Sequence, residues 1–181
     1  MVSCLRKRLC QLVALGCLLG SVTLAQNVQR KFRPGTNFSK YQTYRWVESK
    51  NHYPDPTVDA QIKQSFDAQL AARGLKKTDG TADLNVDYQT AVSQQETWVA
   101  YEDWTAGAGA GYGFSHLPQH KQVIVDVGTL CLDMYDTAAK QLVWTGSATK
   151  ILDPKSSSED RQKNVDKAAK KLLENFPPRT S

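Results

Sequence analysis

Cysteine, charge of one sign and long apolar runs are all scarce in this chain. Of its four cysteines, Cys4, Cys10 and Cys17 fall in the first 17 residues and Cys131 stands alone thereafter. One cysteine cannot close an internal disulfide, so the fold must hold without that staple. Cys131 sits in an apolar stretch, which raises a thiol pKa, and no histidine is near it in sequence. It reads as a small strand residue and not as a nucleophile. No apolar run reaches the roughly 20 residues that a bilayer-spanning helix needs. Charge is nearly balanced once the first 25 residues are set aside. They carry Arg6, Lys7 and Arg8 and no acid, so the formal net charge falls from +5 to +2 without them. That excludes a strong general attraction to nucleic acid or to anionic membranes.

Catalytic and cofactor signatures are missing as well. There is no Gly-x-Ser-x-Gly elbow to pair with Asp103, Asp126, Asp133 or Asp136. Asp133 and Asp136 flank an expected hairpin turn, where carboxylates cap backbone amides. Gly107, Gly109, Gly111 and Gly113 alternate, a spacing unlike the dinucleotide fingerprint, and read as a mobile loop. Asp83-x-Asn85-x-Asp87 opens like a calcium loop, but Tyr88 stands where glycine is needed and Gln94 where glutamate is needed. His116 and His120 have the spacing of two ligands on a helix, yet Pro118 lies between them and no third ligand is near. With His52 they read as loop histidines. No catalytic residue, metal site or cofactor is expected.

What is present begins with a secretory pattern. A short basic start, an apolar stretch over residues 12–25 and Thr23-Leu24-Ala25 before Gln26 predict a signal peptide over residues 1–25. Ala14-Leu15-Gly16-Cys17 offers the alternative of lipidation at Cys17, although the residues after it stay apolar. The expected location is the periplasm or cell envelope, with outer-membrane association if Cys17 carries a lipid. The length that remains suits one domain, which the sequence places at 41–178, after a polar lead-in over 26–40.

Within that domain, residues 41–47 alternate aromatic and β-branched side chains and predict a strand with Tyr44 and Trp46 on one face. Asp55-Pro56 is an N-cap followed by a first-turn proline, and Val58, Ile62, Phe66 and Leu70 make one apolar stripe of a helix that ends before Gly74. Residues 82–99 form a second strand, with Leu84, Val86 and Tyr88 facing inward and Asp83, Asn85 and Asp87 outward. Residues 123–135 and 142–151 form a hairpin, bent near Gly128, with Leu130, Leu132, Met134, Leu142 and Trp144 inward. Ser156–Ser158, Glu159 and Asp160 start a last helix carrying Val165, Ala168, Ala169, Leu172 and Phe176, stopped by Pro177-Pro178. The order β-α-β-β-β-α predicts an α+β fold, a mainly antiparallel four-stranded sheet with two helices on one face.

Several segments together carry a resemblance. Phe38-Ser39-Lys40-Tyr41-x-Thr43-Tyr44-x-Trp46 opens the domain. Asp55-Pro56-x-Val58-Asp59-x-x-Ile62 and Leu70-x-x-x-Gly74-Leu75 follow, then Ala82-Asp83-Leu84-x-Val86-x-Tyr88. Gly128-Thr129-Leu130-x-Leu132-Asp133-Met134-x-Asp136, Leu142-Val143-Trp144-x-Gly146-x-Ala148 and Phe176-Pro177-Pro178 complete the pattern. The chain resembles the bacterial envelope domain-of-unknown-function family 4136 over nearly all of its mature length. That resemblance implies an exported or lipid-anchored bacterial protein of α+β fold, and it carries over no catalytic residues. Family members often have a lipobox cysteine; here Ala14 stands where leucine is expected.

Trp98, Tyr101, Trp104, Tyr112 and Phe114 are five of the chain's sixteen aromatic residues, gathered in a stretch of 17. A glycine-rich loop does not need five large rings for its own sake. They are the candidate contact surface for an envelope protein, glycan or lipid, because rings supply contact area at low entropy cost. Two of them, Trp98 and Phe114, could instead end strands and pack inward. The expected function is therefore a non-enzymatic binding or scaffolding domain. A small periplasmic hydrolase using His116 or His120 as base is one alternative, and a carrier of a lipid or other apolar ligand is another.

Overall fold

The computed structural model describes residues 27–47, 53–101 and 119–178. The segment before Asn27, with its signal pattern and Cys17, lies outside the described residues, as do His52, His116, the alternating glycines, Trp104, Tyr112 and Phe114. The elements in chain order are β1 (Asn27–Phe32), a single 3-10 turn (Phe38–Lys40), β2 (Thr43–Trp46), α1 (Pro56–Ala71), β3 (Lys76–Lys77), β4 (Leu84–Tyr101), β5 (Gln119–Asp136), β6 (Gln141–Ile151) and α2 (Ser158–Leu173).

The α+β class holds, but the sheet has six strands and is mixed, in the order β1-β6-β5-β4-β2-β3. Two strands are additional. The polar segment expected as a lead-in forms β1, which pairs antiparallel with β6 from Asn27 opposite Thr149 to Phe32 opposite Trp144. An edge strand buries little, and only Val28 of β1 packs on the core, so its sequence carries almost no apolar alternation. The other, β3, is two residues long. The parallel pairing of β2 with β4 follows from α1, which carries the chain back along the sheet before β4 begins.

Both helices form as their end signals dictate. Asp55 Oδ1 accepts from the amides of Thr57 (2.8 Å) and Val58 (3.3 Å), and Pro56 opens α1. Gly74 adopts φ +85° just beyond the helix, where a Cβ would be strained. Ser157 caps α2, with Glu159 and Asp160 in its first turn. At the other end of α2, Arg30 from β1 and Arg73 after α1 donate to the last carbonyls, Arg30 Nε to Leu172 O at 2.8 Å and Arg73 Nε to Leu173 O at 2.5 Å. These contacts supply partners that a helix C-terminus otherwise lacks.

The core lies between the helices and one sheet face. Phe66 and Leu70 of α1 and Leu172 and Leu173 of α2 are fully buried against Tyr44, Leu84, Val86, Leu132 and Met134. Burying each such side chain contributes at most about 1.5–3 kcal/mol. A chain of edge-to-face rings, Tyr41–Phe38–Phe176–Trp144, ties the segment before β2 to the residues after α2, with centroids 5.7–6.0 Å apart.

One inward assignment of the hairpin changes, and Gly128 has a different role. A register irregularity between Met134 and Tyr135 leaves Val143 of β6 as an extra residue with no partner in the β5 register. Val143 is buried and Leu142 is exposed, the reverse of the simple alternation. Gly128 marks no bulge; its pairing with Val92 and Lys150 is continuous. A Cβ there would stand 2.8 Å from Leu152 Cδ2, so glycine lets Leu152 lie against the strand.

Candidate binding surface

β4 and β5 are much longer than their neighbours. They pair without interruption from Leu84 opposite Asp136 to Tyr101 opposite Gln119. β2 accompanies β4 only as far as Val86, and β6 accompanies β5 only back to Val127. Asp153-Pro154 then turns the chain toward α2, with Lys155 N donating to Asp153 Oδ1 at 2.9 Å. Residues 92–101 and 119–127 therefore project past the body as a two-stranded ribbon. Nine residue steps at about 3.4 Å make it roughly 30 Å long.

The ribbon keeps the alternation of the sheet, but among the described residues no layer lies over it. Val92, Trp98 and Ile124 continue the face on which the helices pack, and they are 64%, 66% and 67% exposed. Val99, on the opposite face, is also exposed. Cross-strand contact is polar, with Gln122 Nε2 donating to Glu96 Oε2 at 2.5 Å. Of the aromatic residues expected here, Trp98 lies within β4 on the helix-bearing face but beyond the core, so it is exposed and does not pack inward. Tyr101 ends β4. The structure brings these two onto one element. His120, expected in a loop, is an exposed residue of β5 opposite Ala100.

The acids of the body are engaged in the fold. Asp136 accepts from Lys40 Nζ at 2.7 Å, Tyr41 Oη at 2.9 Å and Ala139 N at 2.9 Å. These partners, Lys40 foremost, hold its carboxyl well below the usual aspartate range. The amide cap onto Ala139 is the role expected of it at the turn. Asp133 has no such role; it lies within β5, directly opposite Asp87. Asp83 accepts from the amides of Gln42 and Thr43 and from Thr43 Oγ1, which lowers its pKa and closes β2 onto the start of β4. Asp67 of α1 accepts from Tyr44 Oη at 2.7 Å, Trp46 Nε1 at 2.8 Å and Lys77 Nζ at 3.0 Å. Burial, reinforced by Asp67 at Tyr44 and by Asp59 at Tyr88, pushes both phenols far above their usual range. Such groups neither give nor take protons near neutrality. These side-chain bonds across long sequence separations are what residue spacing did not disclose. The only local hint was the density of aspartates beside tyrosines.

Cys131 is half-buried on β5, and burial together with Asp133 pushes its thiol up. Among the described residues, no three His, Cys, Asp or Glu side chains converge as a metal site requires. A shallow cleft of about 290 Å³ lies at the end opposite the ribbon, bounded by Arg33, Asn37, Lys40, Tyr41, Asp136 and Gln141. Its walls are polar, and its one buried carboxylate is already saturated.

Comparison with known proteins bears on the fold. The model of the family described as "Domain of unknown function (DUF4136)" matches residues 28–178. The chain belongs to this family. DUF4136 is an uncharacterised domain, and its match spans the entire sheet and both helices. No curated protein matches the chain. Among solved structures it is similar to a PDZ domain protein from Parabacteroides distasonis, with a TM-score of 0.58 at 8% identity. That likeness covers 85% of this chain but only 36% of the other. It is also similar to the PelC dodecamer from Paraburkholderia phytofirmans, with a TM-score of 0.51 at 13% identity, covering 86% of this chain and 99% of that one. At these identities the likeness is one of fold alone. Among the described residues no helix is long and apolar enough to cross a membrane.

Proposed function

We propose that this DUF4136 protein is an exported envelope protein that acts by binding, without catalysis, and that its contact element is the β4–β5 ribbon. The observation that carries this reading is Trp98. The domain buries Trp144 to 2% exposure, yet leaves Trp98 at 66% on a strand that nothing among the described residues covers. Large rings supply strong contacts when a partner desolvates them. Support also comes from the body, where Asp67, Asp83 and Asp136 are tied into hydrogen bonds that hold strands and turns. Affinity purification from the native envelope with the tagged mature chain tests the reading, with Trp98→Ala run beside wild type. The expected result is a partner retained by wild type and lost with Trp98→Ala at unchanged melting temperature. Equal recovery by both proteins would remove the ribbon as the contact element.

A further inference from the structure

The ribbon end of the domain is also where its other exposed apolar side chains gather. Besides the four on the ribbon, Ile151 and Leu152 close β6 at the ribbon base, and Tyr53 lies nearby, its amide donating to Tyr88 Oη at 3.2 Å. Only Phe32 and Leu142, among the exposed large apolar residues described, sit at the opposite end. The chain enters the domain at that same end. β1 begins at Asn27 opposite Thr149, two residues before β6 reaches Ile151 at the ribbon base.

We propose, resting on the reading of the ribbon as the contact element, that its partner is a lipid surface, with Trp98 and Ile124 seated in the headgroup interface of a bilayer. Two features favour lipid over a protein groove. Exposed apolar side chains stand on both faces of the ribbon, Trp98 and Ile124 on one and Val99 on the other. A fluid interface can surround both, whereas a groove covers one. Beyond Val86, the edge of β4 away from β5 pairs with no strand among the described residues. Such an open backbone edge is excluded from hydrocarbon but is hydrated among headgroups, where tryptophan also settles.

The test is flotation with vesicles of phosphatidylethanolamine and phosphatidylglycerol. The protein begins at Gln26, which removes the apolar leader but keeps every core residue, from Phe38 to Phe176. Wild type should float, and it should still float in high salt, because the contact is apolar and the chain from Gln26 is nearly neutral. Trp98→Ser with Ile124→Ser should cut the bound fraction about tenfold or more at unchanged melting temperature. As an independent readout, brominated lipid should quench wild-type emission, and the milder Trp98→Phe should lose that quenched component. Wild type that stays unbound, or a double variant that floats equally well, overturns the lipid assignment. If the vesicles fail but the envelope purification still depends on Trp98, the lipid assignment falls and the ribbon reading stands. If wild type instead self-associates through Trp98, the occupant is a second copy and the lipid proposal also falls. Failure of both experiments removes both.

Discussion

The body and the ribbon of this domain are made from the same two strands, yet they have opposite fates. Up to Tyr88 on β4, and from Leu132 on β5, the inward positions are fully buried under two helices. A few residues further along, Val92, Trp98 and Ile124 on the same face are about two-thirds exposed. Nothing in the backbone changes between the two regions, since the pairing is continuous. What changes is the presence of a second layer. A strand face stabilises a fold only where something lies over it, so the same alternation is core in one half and exposed surface in the other.

The sharpest way to break the body is to empty its centre. Phe66→Ala removes a fully buried ring from α1 and should cost about 3–5 kcal/mol, read as a lower denaturation midpoint in urea. Gly146→Ala works in the opposite sense. A Cβ there would meet Trp144 Cη2 at 2.5 Å and Leu172 Cδ2 at 3.0 Å, forcing the ring and α2 apart. A loss of about 1–3 kcal/mol is expected, with altered near-ultraviolet circular dichroism from Trp144.

Asp136→Asn should be milder, about 1–2 kcal/mol at neutral pH, because Tyr41 and the Ala139 amide lose a charged acceptor. Its pH dependence is the more telling measurement. The folded-state pKa of Asp136 is depressed, so its contribution is complete above the unfolded aspartate value of about 3.9 and fades as pH falls through the lower folded value. Melting temperatures of wild type and Asp136→Asn should therefore converge below about pH 4 and stay apart above it. A constant gap across that range would mean the charge plays no part.

Trp98→Ser should have the smallest effect on stability, within about half a kcal/mol, although it removes a side chain larger than Phe66. A large loss would show that the ribbon has cover, and the contrast between the two regions would disappear. Together, Phe66→Ala and Trp98→Ser test whether layering, and not side-chain size, decides what an apolar residue does here.

Much of the body was legible because its signals are local. Asp55-Pro56, Gly74 and Ser157 mark helix ends through groups within four residues, and the stripe of Ile62, Phe66 and Leu70 repeats with the helix itself. The site was only partly legible. The aromatic cluster pointed to Trp98 and Tyr101, but a strand extending past its neighbours has the same alternation as one inside a sheet. The exposed Ile124 on the partner strand carried no signal at all, since an isoleucine among valines reads as core. Gly128 was misleading for a related reason. Its missing Cβ makes room for Leu152, which is 24 residues away in sequence, and not for a bulge.

Periodicity and capping chemistry alone determined two amphipathic helices, the inward faces of β2, β4 and β5, and the α+β class. Tertiary structure decided the rest. It made a strand of residues 27–32, which are too polar to announce one, by offering them the free edge of β6. It set β2 parallel to β4 because α1 had to return across the sheet to bury its stripe. It bound Asp67, Asp83 and Asp136 to donors from distant elements, and it stopped β2 and β6 short so that β4 and β5 ran on alone. Each of these outcomes depends on which surfaces meet, and burial and pairing are properties of two surfaces together, whereas a sequence pattern describes only one.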